Sequence, residues 1–337
     1  MVLEVTFIPA GGPDVGGGHV LRCRSLAAAL ELRGVSCRWF APAEARSLFS
    51  PGDDVGAWGD FFGPEGPDAL SRSVPPGSVV VVDSYLPSPA WFEEAGRRWR
   101  LVVVDDLRDI AVEEYAVAVL NPNPGAEDLP YRRRSGVGLL LGVSYALLRP
   151  AFWDLASEGG HDVFAVAGAS DPQGVLIQLV RWWRPCWPFL RAVAGPLMPA
   201  EEVATLRREV RERANVEVLQ APEDFPERMA RAGRVLCTSS GTSLEALALK
   251  KPLAVFQVAE NQRRIGEEIA RRGWGVNLGL WGAWEAEDLA RFLEAPPRVF
   301  PGGVDPRGAR RAAEALEELL GGVASEGTRR ASGAEDR

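Results

Sequence analysis

Two short strings in this chain carry residue types that could do chemistry together. The first is Pro13-Asp14-Val15-Gly16-Gly17-Gly18-His19, continued by Val20-Leu21-Arg22-Cys23. Its glycines, Gly17 and Gly18 among them, let a ligand approach the backbone, and a helix opening there leaves N–H groups free for an anion. His19 would stand at the positive end of that helix, which favours the neutral imidazole, the form able to accept a proton. The same glycines also fit an ordinary strand–helix turn with a surface histidine. The second string is Cys237-Thr238-Ser239-Ser240-Gly241-Thr242-Ser243-Leu244-Glu245. Hydroxyls beside free helix N–H groups make a site for a phosphate or diphosphate, and Glu245, one turn in, could accept from a ribose diol. Serine and threonine cap helices routinely, yet five hydroxyls between Thr238 and Ser243 exceed what one cap needs. No Gly-Lys-Ser/Thr follows and no G-x-G-x-x-G spacing is present, so neither a Walker loop nor a dinucleotide fingerprint fits.

Smaller signals stand at the ends of other apolar runs: Asp83-Ser84-Tyr85, Asp105-Asp106, Gly168-Ala169-Ser170-Asp171 and Asn261-Gln262. Each could orient a polar substrate, and each also fits a turn or a helix cap.

The rest of the composition narrows the chemistry. A length of 337 residues suggests two domains, and 46% hydrophobic with 25% charged residues is a globular composition. The net charge of −8 argues against nucleic acid or an anionic membrane as partner. There are only two histidines, His19 and His161, so a zinc site or serine–histidine chemistry has little to draw on. Cys23, Cys37, Cys186 and Cys237 show no paired spacing and read as buried thiols of a reducing, cytoplasmic compartment. No basic-then-apolar start and no run of about 18 apolar residues is present, so neither a secretory signal nor a membrane span is expected. The tryptophan-rich segment Leu179–Leu190 reads as core or interface packing.

These motifs need elements to hold them. Short apolar runs, expected as strands, cover Leu3–Ile8, Ser78–Val82, Leu101–Val104 and Ala116–Leu120, and then Val163–Ala167, Leu190–Ala194, Val216–Leu219, Val235–Cys237 and Leu253–Val258. They are continuous and not alternating, as in strands covered on both faces. Helical stretches such as His19–Arg33 and Glu201–Arg213 lie between them, which implies parallel sheets. The expected architecture is α/β, two doubly wound Rossmann-like domains facing a cleft, residues 1–150 and 151–320, with ligands beyond the carboxyl ends of the strands. Asp305–Leu320 reads as an amphipathic helix packed back on one domain, and 321–337 as a disordered tail.

Taken together and in order, the strings resemble one family: the UDP-2,4-diacetamido-2,4,6-trideoxy-β-L-altropyranose hydrolases of pseudaminic-acid biosynthesis, with spore-coat polysaccharide relatives and a likeness to GT-B glycosyltransferases. The matching pieces are Gly16–Arg22 with Cys23, Asp83-Ser84-Tyr85, Val104–Leu107, Asn121-Pro122-Asn123, Leu139–Pro150, Gly168–Gln173, Ser239–Ala246 and Val258–Gln262. The resemblance implies metal-free, cofactor-free hydrolysis of the bond between a sugar's anomeric carbon and UDP. His19 would deprotonate the attacking water, with inversion, and Tyr85 would lie near sugar and water. Ser240, Gly241, Thr242 and Ser243 would hold the diphosphate, and Glu245 the ribose. Gly17, Gly18, Arg22, Asp83, Asp106, Asn261 and Gln262 would line the sugar or its junction with the diphosphate. Where the family carries an Arg and an Asp after its first strand, this chain has Ile8 and Ala10. A GT-B transferase using the same nucleotide site, or a nucleotide-binding homologue without turnover, are the alternatives.

Overall fold

The computed structural model describes residues 3–57, 59–299 and 303–331, with residues 322–331 given by backbone alone. Two parallel sheets organise the chain. The first joins β1 (Glu4–Pro9), β2 (Ser36–Phe40), β3 (Val55–Gly56), β4 (Val79–Asp83), β5 (Arg100–Val104), β6 (Ala118–Asn121) and β7 (Gly138–Leu141) in the order β3-β2-β1-β4-β5-β6-β7. The second joins β8 (Val163–Val166), β9 (Leu190–Ala194), β10 (Val216–Gln220), β11 (Arg234–Thr238), β12 (Leu253–Gln257) and β13 (Val276–Leu280) in the order β10-β9-β8-β11-β12-β13. Helices α1 (Gly18–Glu31), α2 (Gly66–Ser71) and α3 (Pro89–Arg98) accompany the first sheet. Helices α4 (Val175–Trp182), α5 (Ala200–Glu209), α6 (Phe225–Arg231), α7 (Gly241–Ala248), α8 (Arg263–Arg271) and α9 (Ala286–Glu294) accompany the second, and α10 (Gly308–Ala331) closes the described chain.

The central strands owe their place to β-branched runs that can be enclosed from both sides. Val79 and Val81 face a layer with Leu26, Leu30 and the α10 residues Ala312 and Leu316, while Val80 and Val82 face Ile8, Trp91 and Phe92. In the second sheet, the tryptophan-rich segment becomes core, as the composition suggested: Trp183 and Trp187 pack with Leu236, Phe256 and Trp284, and Trp182 packs against them.

Four strands were not visible as apolar runs. β2 and β13 are only half covered and interleave polar residues or glycines, β7 is three leucines after Gly138, two of them half covered, and β3 has two residues. The expected α5 stops at Glu209, short of Arg213. Two corrections concern the carboxy-terminal helix. It was grouped with residues 151–320, yet Ala309, Ala312, Ala313, Leu316 and Leu320 pack against α1 and the first sheet. Segment 321–337 was expected to be disordered, yet the α10 backbone runs to Ala331, because a helix already nucleated by packed turns extends at little cost. Residues 332–337 lie outside the described residues.

Candidate functional site

In each sheet the strand order reverses once, between β1 and β4 and between β8 and β11. Loops leaving the carboxyl ends of strands part at such points and leave a crevice. Because β1, β4, β5 and β6 are consecutive neighbours, the loops carrying Gly16–His19, Asp83–Tyr85, Asp105–Asp106 and Asn121–Asn123 stand in a row. Against them come the loops after β8 and β12. Ser170 Oγ donates to the Pro13 carbonyl at 3.0 Å, and Asn261 Nδ2 donates to Tyr85 Oη at 3.3 Å. Gly17 is pressed between Leu48 and Ala169: a Cβ there would lie 3.0 Å from Leu48 Cδ1 and 3.1 Å from Ala169 Cβ.

The spacing His19-x-x-Arg22-Cys23 has one physical meaning. Residues i, i+3 and i+4 share a helical face, and here all three aim donors at one carboxylate, Asp83, which is fully buried at the end of β4. His19 Nδ1 lies 2.5 Å from Asp83 Oδ1, Arg22 grips both Asp83 oxygens through Nε and NH2 at 2.6 Å, and Cys23 Sγ lies 3.4 Å from Oδ2. Burial would raise the Asp83 carboxyl, but the charge of Arg22, then His19, and their hydrogen bonds hold it well below the usual carboxylate range. An ionised carboxylate only accepts, so Nδ1 carries a hydrogen toward Asp83, and in the neutral form of the ring the lone pair is on Nε2. Among the described residues none hydrogen-bonds Nε2.

The remaining arm of Arg22, NH1, donates to Asp106 at 2.7 and 2.9 Å. Burial opposes the charge on Arg22, but Asp106 and Asp83 outweigh it and raise the guanidinium well above its ordinary value. Asp106 is likewise held low, burial being overcome by Arg22. Its other partners are Asn123 Nδ2 at 2.5 Å and the Tyr85 hydroxyl, which donates to Oδ2. Burial and the neighbouring Asp106 charge push the Tyr85 phenol far up, so it keeps its proton. Tyr85 meets His19 edge to face with ring centroids 4.8 Å apart. Asn261 Oδ1 is buried without a partner among the described residues.

The second sheet contributes donors. α7 follows β11 without a side-chain cap, and among the described residues nothing accepts from the N–H of Gly241 or Thr242. Ser240 and Thr242 are half-buried and Gly241 is exposed, whereas the Ser243 hydroxyl is committed to the Ser240 carbonyl at 2.6 Å. At the start of α1, the N–H groups of Gly18 and His19 are similarly unmatched among the described residues. Glu245 is buried and clamped by Arg149 through Nε at 2.6 Å and NH2 at 2.7 Å, with Arg149 lying over the Phe225 ring at 4.4 Å. Gln262 Oε1 accepts from the Val258 N–H at 2.9 Å and shapes the loop after β12.

The structure therefore gathers His19, Tyr85, Gly17, Gly18 and Asn261 at the crevice. Arg22, Asp83 and Asp106, expected to touch the sugar, are turned on one another. Asn123, Cys23 and Arg149 were missed as members of the site, although each stood inside a string already singled out. Ile8 and Ala10, in place of a charged pair, are buried in the apolar layer with Val80, Val82 and Trp91.

No protein-family model and no curated protein matches the chain. Solved structures do. MurG of Acinetobacter baumannii superimposes with a TM-score of 0.61 at 13% identity, over 94% of this chain and 99% of that one. A co-structure of Staphylococcus aureus MnaA with UDP gives 0.61 at 12% identity, covering 95% and 97%. The spinosyn forosaminyltransferase SpnP gives 0.58 at 15% identity, covering 95% and 99%. At these identities the likeness is one of fold, and that fold is GT-B-like: two Rossmann-like parallel-sheet domains across a crevice.

Proposed function

We propose that the protein hydrolyses a UDP-linked amino sugar of the 6-deoxy diacetamido type at the anomeric carbon, supplying free sugar for a surface glycan. The observation that carries this reading is the orientation of His19: Asp83 holds Nδ1, which leaves Nε2 without a hydrogen bond among the described residues at the switch point of the first sheet, while the second sheet supplies the uncapped start of α7 after β11. Nε2 takes a proton from water as the water oxygen attacks the anomeric carbon, and the electron pair of the breaking C–O bond leaves on the diphosphate. Hydroxyls of Ser240 and Thr242 with the N–H groups of Gly241 and Thr242 receive that charge, and Ser243 braces their turn from within. Gly17 and Gly18 admit the sugar, Asn261 lies at its junction with the diphosphate, and Gln262 sets that loop. Glu245 takes the ribose hydroxyls while Arg149 holds its carboxylate. With Ile8 and Ala10 in the core, neutral acceptors read the sugar. A structure of the same fold with UDP bound supports the nucleotide part of this reading.

A second reading, transfer of the sugar to an acceptor from the same nucleotide site, draws on the transferases of the same fold. A panel of UDP-sugars separates the two. Hydrolysis predicts UDP release without any acceptor, and His19→Ala should abolish it while UDP still binds. Acceptor-dependent release, or an undiminished His19→Ala, sinks the first reading.

A further inference from the structure

Tyr85 is held from two sides. Its hydroxyl donates to Asp106, and its oxygen accepts from Asn261 Nδ2 at 3.3 Å. Asp106 is in turn held by Asn123 Nδ2, which opens segment 123–128 after β6. Asn261 stands in the turn Glu260–Gln262 that leads into α8. These two segments meet again beyond Tyr85. Arg264 NH2 donates to the Gly125 carbonyl at 2.6 Å, and Glu268 closes on the same glycine, where a Cβ would lie 2.8 Å from its Cγ and Cδ. Farther along, Arg272 faces Glu127 at 3.3 Å and Arg271 faces Asp128 at 3.8 Å. Positions 264, 268 and 271 are spaced four and three apart, so one face of α8 lies along segment 123–128. Each partner of the Tyr85 hydroxyl therefore stands at the near end of one of two segments docked on each other.

These contacts do not weigh alike. Arg271 and Asp128 are both exposed, and a pair of that kind contributes little. The bond from Arg264 to Gly125 is part-buried and carries the full guanidinium charge, and among the described residues no carboxylate competes for Arg264. Gly125 has a φ of +78°, so glycine makes the turn and also leaves the space that Glu268 fills. Resting on the nucleotide-sugar reading above, we propose that Arg264 is a positioning residue: its bond to the Gly125 carbonyl docks α8 on segment 123–128 and so sets Asn261 and Asp106 against Tyr85 together. Arg264 touches no substrate in this role. It acts on the chemical step and not on nucleotide binding, because Ser240, Thr242 and Glu245, which hold UDP on that reading, all stand in α7 or its approach.

The test compares Arg264→Met, Arg264→Lys and Gly125→Ala with the parent. Methionine keeps the stem and donates nothing, whereas lysine still donates to a carbonyl. Alanine at Gly125 drives carbon into Glu268 from the opposite side of the same contact. UDP release is followed with UDP-2,4-diacetamido-2,4,6-trideoxy-β-L-altropyranose and UDP-N-acetylglucosamine, and UDP binding by calorimetry. In Arg264→Met and Gly125→Ala kcat should fall about tenfold while the Kd for UDP stays within about twofold, and Arg264→Lys should keep kcat within about threefold. The double variant should be no slower than either single one, because both break one contact. A UDP affinity that falls in step with kcat is what a merely structural role gives and overturns the proposal, as does the parent rate in both variants. Ring-¹³C tyrosine spectra need no turnover, since the chain has only four tyrosines. The Tyr85 signal, assigned by its loss in Tyr85→Phe, should shift in Arg264→Met and Gly125→Ala and return in Arg264→Lys. A Tyr85 signal unmoved in both overturns the positioning role whatever turns over. A shifted signal with no UDP released from either sugar by the parent overturns the hydrolysis reading alone.

Discussion

Asp83→Asn is the sharpest perturbation available, because one side chain serves His19, Arg22 and Cys23 at once. An amide offers one accepting oxygen where two were at work. Whichever way it sits, an N–H faces either Nδ1 of His19 or Nε of Arg22. Removing one partner of a buried ion pair costs about 3–5 kcal/mol, and Asp106 keeps its hold on Arg22, so about 3 kcal/mol is expected. The sign with pH follows from the depressed carboxyl. Its contribution is complete above about pH 4 and is lost as pH falls toward the lower folded value, so the gap between parent and variant should close only in strong acid. The loss of rate should exceed what the loss of stability suggests. With the amide N–H toward Nδ1, the ring moves its hydrogen to Nε2 and the base disappears, an effect worth about 10³–10⁴ in kcat where a histidine tautomer is reversed, with KM little changed. Imidazole ¹⁵N resonances report the tautomer directly, and the His161→Gln background leaves His19 as the only imidazole. A folded Asp83→Asn that still shows the Nδ1–H tautomer and turns over at the parent rate would refute the reasoning.

Three other perturbations reach separate parts of the structure. Arg149→Met should cost about 3–5 kcal/mol, because it strands the buried Glu245 carboxylate, and adding Glu245→Leu should restore most of the melting temperature. If Glu245 reads the ribose, that double variant should bind UDP and 2′-deoxy-UDP equally by calorimetry, whereas the parent prefers UDP. Burial, with a smaller push from Glu202, raises the Asp171 carboxyl to about 7, although it accepts from the Val175 and Leu176 N–H groups. The folded state then keeps a proton that the unfolded chain releases near pH 4, so stability falls between about pH 4 and pH 7 and levels off above, and Asp171→Asn, which keeps one of the two accepting oxygens, should gain on the parent as pH rises from 4 to 8, read by thermal melts. Gly17→Val places carbon against Leu48 and Ala169 across the crevice, and should cost about 1–3 kcal/mol with activity lost, read by thermal melts beside UDP release.

Most of the scaffold was legible because its central strands are short runs of valine, leucine and alanine that only a doubly covered parallel sheet accommodates. β2 and β13 were not, and the reason is their position: an edge or half-covered strand tolerates Arg38 or Gly279, so the apolar run that marks a strand is broken. The far end of α10 was misread because its sequence has little periodicity of its own, whereas its start is held by Ala312 and Leu316 packed on the first sheet.

At the site, strings were legible and assignments within them were not. His19, Arg22, Asp83 and Asp106 all stand at strand ends or a helix start, and position alone sends all four toward the ligand. The discriminating information is charge balance among residues 61 and 84 positions apart. One arginine between two aspartates satisfies itself, and nothing in a linear string says that β1, β4 and β5 are neighbours. Once that adjacency is known the division follows from valence. Arg22 uses its donors on two carboxylates, and those carboxylates use their remaining lone pairs to accept from His19 and Tyr85 and so orient both rings. The N–H groups left over at the starts of α1 and α7 are donors, and on the proposed reading the diphosphate, all acceptor itself, is directed to those of α7.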